Sequence, residues 1–168
     1  IEAQKLFNLP NNKVDILIHP QSLVHAIIDF KNGLKKFIYH DTSMTIPIAN
    51  AIFGGKLEIK NFLKVKKKQQ ISDLIFKKVD KKIFPIIKLK NRINEHPSSS
   101  IIINASNEIL VDHFLHKKLP FLHISKIIMD IFQHRNYKKY AIQKPKTINQ
   151  IKKIDSWARE ITLKKIYR

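Results

Sequence analysis

The chain has 168 residues, 43% of them hydrophobic, with 32 Lys and Arg against 13 Asp and Glu and a formal net charge of +19. That apolar content suffices for the core of one ordinary domain or two small ones, and no apolar run approaches the roughly 18 residues that would span a bilayer. With Cys 0, disulfides and thiolate metal sites are excluded, as suits a reducing compartment.

In chain order, Ile1 to Phe7 has a helical pattern but no capping residue ahead of it, so further sequence is expected upstream of Ile1. Val14 to Ile18 reads as a strand leading into the turn His19-Pro20-Gln21-Ser22, and Val24 to Phe30 as a strand leading out. Pro20 biases His19 toward extended backbone and removes one donor, which frees the polar side chains of the turn to face a cleft. Asn32-Gly33 is a hairpin signal, with Leu34 to Tyr39 as the second arm. A short helix begins near Ile46-Pro47, with Thr45 as its cap and Gly54-Gly55 as its stop. Residues 56 to about 80 are lysine-rich, with short apolar pieces at Phe62-Leu63 and Leu74-Ile75-Phe76, and read as a connecting segment holding one or two strands.

Beyond Lys81 the pattern is helical. Phe84, Ile87 and Asn91 open one helix. Pro97 and Ser98-Ser99-Ser100 give the break and cap for the next, whose apolar positions are Ile102, Ala105, Ile109 and Phe114, and Leu119-Pro120 ends it. A third runs from about Ser125 to Gln133 on Ile127, Ile128, Ile131 and Phe132. The last opens with Thr147 and Gln150 placed as a capping box and carries Ile151, Ile154, Trp157, Ala158, Ile161 and Ile166. Four such stripes can bury one another as a small bundle. The fold class expected is therefore α+β: residues 1–53 with strands, a hairpin and short helices, a connecting segment over 54–80, and a helical bundle over 81–168.

The charge taken alone would suggest an acidic partner, above all nucleic acid. Its distribution argues otherwise. Lysines are scattered along every segment, with the densest block at Lys64 to Lys68, and only Arg92, Arg135, Arg159 and Arg168 offer the planar fork that reads phosphates and bases. A nucleic-acid partner is not expected, and neither is a membrane.

His19-Pro20-Gln21-Ser22-Leu23-Val24-His25 resembles the His-Pro-Gln-Ser-x-x-His signature of the 1-deoxy-D-xylulose 5-phosphate reductoisomerase family. The resemblance continues through Ile1-Glu2-Ala3, Leu6-Phe7, Met44-Thr45-Ile46-Pro47-Ile48-Ala49, Phe84-Pro85 and Asn104-Ala105-Ser106-Asn107-Glu108, in the family's order and near its spacing. Such collinearity is more specific than any one motif. It implies the C-terminal portion of an oxidoreductase that converts 1-deoxy-D-xylulose 5-phosphate to 2-C-methyl-D-erythritol 4-phosphate in non-mevalonate isoprenoid synthesis. It also implies NADPH, a divalent metal (Mn2+, Mg2+ or Co2+), a homodimer and a cytoplasmic location. The glycines Gly33, Gly54 and Gly55 form no dinucleotide fingerprint. The cofactor turn, the metal ligands and most of the phosphate clamp would thus lie upstream. This chain alone is expected to bind neither cofactor nor metal and to be inactive. The competing readings are a non-catalytic relic or interaction module, and a basic nucleic-acid-binding protein.

Among site residues, the resemblance implies that His25 positions substrate or handles a proton, as an imidazole titrating near neutrality can. The plain alternative is a strand-opening histidine bonded to nearby backbone. His19 is expected to stabilise the turn, and Ser22 either to meet substrate or to shape the bend. Met44 is implied to pack near the nicotinamide, a task suited to a soft thioether, against the alternative of core filling. His40, Asp41, Thr42 and Ser43 stand where the family usually has Gly, Pro and Asp before this Met, and Thr45 replaces a frequent Arg. No His, Asp or Glu spacing supports a metal site here. The Asn104 to Glu108 motif reads as architectural, with Ser106 at a usual Ala.

Overall fold

The computed structural model describes residues 1–56, 58 and 73–167. By contacts the chain groups into two compact units, Ile1–Asp15 with Val79–Arg168, and Ile16–Lys78. The lysine block at 64–68 and the Phe62-Leu63 piece lie outside the described residues.

The larger unit is α-helical. It comprises α1 (Glu2–Leu6), a short 3-10 turn over Asn11–Lys13, a 3-10 helix over Pro85–Arg92, α3 (Ser99–Leu115), α4 (Phe121–Phe132), α5 (Tyr137–Ala141) and α6 (Ile148–Ile166), while α2 (Thr45–Phe53) belongs to the other unit. One apolar cluster holds it together, with Ile102, Ala105 and Leu110 of α3, Ile127, Ile128, Ile131 and Phe132 of α4, and Ile154 and Ala158 of α6 all buried. The expected face of α4 is the buried one. On α3, Ile102 and Ala105 are buried as expected, but Leu110 fills the core whereas Phe114 is partly exposed, because the stripe continues at i+8 from Ile102. The four expected helical segments are present, the first as a 3-10 helix, and α5 is an added turn between α4 and α6.

The helix starts differ from expectation in instructive ways. Ser98 precedes α3 without capping it. Its N–H donates to the Ala141 carbonyl at 2.9 Å and its hydroxyl to the Gln143 carbonyl at 2.6 Å, so it ties α3 to the end of α5. Ser99 Oγ accepts from the His96 N–H at 3.2 Å and shares a 2.8 Å hydrogen bond with the Tyr137 hydroxyl. Helix α4 starts at Phe121, four residues ahead of Ser125, since extended Pro120 supplies its entry. At α6 the box is half formed: Thr147 Oγ1 accepts from Gln150 N–H at 3.3 Å, while Gln150 Oε1 accepts from Lys146 N–H, one residue before the cap.

Charges knit the same unit. Glu108 of the Asn104 to Glu108 motif pairs with Arg159, which also pairs with Asp155 at 2.7 Å, so the motif joins α3 to α6. Those two carboxylates hold the Arg159 guanidinium well above its ordinary value. Arg92 hydrogen-bonds Glu95, lowering that carboxyl below its usual range, and lies over the Phe132 ring at 4.6 Å. Burial raises the Tyr137 phenol.

The smaller unit is built from two antiparallel pairs, β1 (Leu17–Ile18) with β4 (Lys77–Lys78) and β2 (Val24–Asp29) with β3 (Lys35–Tyr39), followed by α2 (Thr45–Phe53). The hairpin connection is Lys31-Asn32-Gly33, the three residues between the expected arms: Gly33 N–H returns to the Phe30 carbonyl at 3.0 Å and Phe30 N–H to the Leu34 carbonyl at 2.9 Å. Gly33, at φ 87, adopts the left-handed conformation this connection needs. Thr45 is the first residue of α2 and not its cap; its N–H points to Ser43 Oγ at 3.4 Å. Gly54 closes the helix in left-handed backbone at φ 58.

Candidate active site

The His-Pro-Gln-Ser turn is rigid for a reason the sequence did not announce. After Ile18↔Lys77, where β1 and β4 cease to pair, side chains continue the ladder. His19 Nδ1–H donates to the Ile75 carbonyl at 2.9 Å, and because a carbonyl only accepts, this fixes the tautomer. The Gln21 amide donates to the Asp73 carbonyl at 2.8 Å and accepts from the Ile75 N–H at 3.4 Å. The His19 ring stacks on Phe76 at 4.8 Å. Both residues are therefore structural, holding the bend to 73–76, as the turn-stabilising expectation for His19 required. Asp73, Ile75 and Phe76 are their partners, a role composition could not reveal.

Ser22 closes this turn. Its N–H donates to the His19 carbonyl at 3.0 Å, and at φ 53 it occupies left-handed backbone that a non-glycine residue enters only at a cost. Its side chain is exposed.

His25 lies three residues on, at an irregularity in the hairpin. Asp29↔Lys35 through Ala26↔Ile38 keep one register, then Val24 pairs with Tyr39, so His25 is the extra residue of a β-bulge. A bulge leaves one residue out of the ladder and re-aims its side chain. The His25 side chain is exposed and lies flat against His40, with ring centroids 3.7 Å apart and planes 4° from parallel. His40 is held in turn by its N–H to the Leu23 carbonyl at 3.0 Å and by Nδ1 to the Asp41 carbonyl at 2.5 Å. Met44, 59% exposed, precedes α2 four residues later and fills no core. The fold thus presents Ser22, His25 and Met44 as exposed side chains on the turn, the bulge and the helix entry of one unit.

Residues 41–161 match the family model for the DXP reductoisomerase C-terminal domain. The chain belongs to the 1-deoxy-D-xylulose 5-phosphate reductoisomerase family. It is 40% identical over 161 residues to the reductoisomerase of Pelagibacter ubique, covering 94% of this chain and 40% of that relative. With the Campylobacter jejuni reductoisomerase it shares 35% over 164 residues, covering 95% and 42%. Among solved structures, the Zymomonas mobilis reductoisomerase in complex with NADPH superposes with a TM-score of 0.77 at 27% identity, over 98% of this chain and 42% of the other. A reductoisomerase in complex with NADPH, fosmidomycin and magnesium superposes with a TM-score of 0.84 at 25% identity, over 99% and 42%. The chain thus spans about two fifths of the length of the relatives it matches and corresponds to the C-terminal portion of the reductoisomerase fold.

The described residues can be tested against the groups those relatives carry. No three His, Asp or Glu among them gather as metal ligands. They do not fit a metal ion by themselves, and no step is assigned to one. An exposed thioether at Met44 does suit contact with an aromatic ring such as a nicotinamide.

Proposed function

We propose that this chain forms one wall of the catalytic cleft of an NADPH-dependent reductoisomerase acting on 1-deoxy-D-xylulose 5-phosphate, and that the whole protein yields 2-C-methyl-D-erythritol 4-phosphate as a cytoplasmic homodimer using Mn2+, Mg2+ or Co2+. The observation that carries this reading is the exposed His25, lifted out of the ladder by a bulge beside the Ser22 bend, in a chain that matches the family over most of its length. His25 hydrogen-bonds the substrate and is placed to carry a proton at its free ring nitrogen. Ser22 binds a substrate oxygen, its strained backbone holding the hydroxyl outward. Met44 covers the nicotinamide, which supplies the hydride when bound. In domain terms, residues 1–53 complete the catalytic domain, 54–80 connect, and 81–168 form the C-terminal bundle.

The test has two arms. The 168-residue chain by itself, given NADPH, Mg2+ and 1-deoxy-D-xylulose 5-phosphate, is expected to show no NADPH oxidation. Replacing the corresponding C-terminal portion of the Pelagibacter ubique relative with this chain is expected to give a hybrid that turns over. A hybrid that folds and dimerises like the parent relative yet is inactive would favour a non-catalytic relic and overturn the reading.

A further inference from the structure

We propose that His40 is a positioning residue for His25, its ring serving as the fixed plate against which the other imidazole is oriented. This rests on the role given to His25 above and adds a residue with no assigned role.

The need for such a plate follows from the bulge. In a regular antiparallel pair a side chain is confined by the residue directly across the ladder. His25 has no such neighbour, because Val24 takes Tyr39 and Ala26 takes Ile38. An exposed side chain in that position would sample the staggered wells of χ1. What confines it is the face of His40, at 3.7 Å and 4°.

His40 is itself the better anchored of the two. Its backbone N–H is bonded to the Leu23 carbonyl at 3.0 Å, which fastens the end of β3 to the residue before β2. Its Nδ1 meets the Asp41 carbonyl at 2.5 Å. A carbonyl accepts only, so Nδ1 carries the hydrogen and the ring plane is fixed relative to its own backbone. The His40 side chain is also half-buried, whereas that of His25 is exposed. Asp41 is engaged too, accepting from the Thr42 hydroxyl at 3.2 Å, which steadies the segment. The order of dependence therefore runs from backbone to His40 and from His40 to His25. A parallel stack covers only the facing side of each ring and leaves the edges clear, so the His25 nitrogens stay available to substrate while the ring is held.

A plate needs flatness and not a titrating nitrogen, which makes the inference separable from a chemical role for His40. In the hybrid enzyme described above, His40→Ala is expected to lower kcat by about three- to tenfold, the reduction from one held rotamer to several, with KM for NADPH unchanged. His40→Phe keeps a stacking face and is expected to restore kcat to within about twofold. In the 168-residue chain, the His25 ring proton resonances are expected to carry an upfield ring-current shift that His40→Ala removes and His40→Phe retains. His25→Ala separates the two readings. If it abolishes turnover while His40→Ala changes neither kcat nor the His25 resonances, the positioning role is wrong and the role of His25 stands. If His25→Ala is itself without effect, the reading of the site fails first. A His40→Phe enzyme whose His25 resonances keep the upfield shift yet which is as impaired as His40→Ala would also contradict the plate, since the stack would persist without the rate.

Discussion

The two units of this chain differ in what holds them together. Every member of the principal apolar cluster falls between Leu89 and Ala158, in the helical unit, whereas in the unit over Ile16–Lys78 the buried apolar residues described are Leu23 and Ala49. That smaller unit instead exposes Ile27, Ile28, Phe30, Leu34 and Phe37 on its hairpin and carries Ser22, His25, His40 and Met44. A two-stranded hairpin with an open apolar face gains little stability by itself. Its order comes from specific polar clamps, His19 and Gln21 onto 73–76 and His40 onto Leu23, and these fix side chains without requiring a large core. The lesson is that the residues nearest the proposed chemistry are held by directional bonds, and the bundle is held by burial.

The sharpest way to break this contrast is by truncation in each unit. Leu110→Ala removes a fully buried side chain and is expected to cost about 2–5 kcal/mol, while Ile27→Ala, on the open hairpin face, is expected to cost less than about 1 kcal/mol. The single Trp157 stacks on Tyr140 at 4.3 Å within the helical unit, so its fluorescence in urea reads the Leu110→Ala loss, while amide hydrogen exchange on the hairpin reads that of Ile27→Ala. Equal losses at the two positions would erase the distinction.

Next in size is the Tyr137 hydroxyl. Tyr137→Phe removes its bond to Ser99 and is expected to cost about 0.5–1.5 kcal/mol. Burial favours the neutral phenol, so its folded pKa lies above the unfolded one. The corresponding stability is present below the unfolded value of roughly 10 and lost as pH rises through the folded value. Alkaline urea titrations are therefore expected to show a decline in wild-type stability that Tyr137→Phe lacks. A pH-independent difference between the two proteins would contradict it.

An effect of comparable size and opposite sign is expected at Ser106. Its hydroxyl is buried in α3 with no hydrogen-bond partner among the described residues, so Ser106→Ala is expected to stabilise the bundle by about 1 kcal/mol. Destabilisation by the same substitution would mean that the hydroxyl is satisfied in solution.

Much of this was legible beforehand. The apolar stripe of α4 and the Asn32-Gly33 connection announce themselves through periodicity and turn chemistry, and the family motifs gave the overall assignment. The misses have physical causes. Ser98 looks like a cap but spends its hydroxyl on Gln143, a partner 45 residues away that no local pattern displays. Tyr137 to Ala141 is too short for a helical stripe to register, though its two buried residues are four apart. The bulge at His25 depends on how the far end of the hairpin settles, which no local pattern displays. The register of the three-residue connection alone would set Tyr39 opposite His25, so the stacking of His25 on His40 goes with the bulge and was not legible beforehand.

The most direct test of the whole account is the steady-state rate of the hybrid enzyme carrying His25→Ala. A loss of at least about 100-fold in kcat/KM for 1-deoxy-D-xylulose 5-phosphate, with amide hydrogen exchange on the hairpin unmoved, is the predicted result. A rate within twofold of the unmutated hybrid would contradict it, leaving the bulged histidine as a feature of the hairpin and not of the reaction.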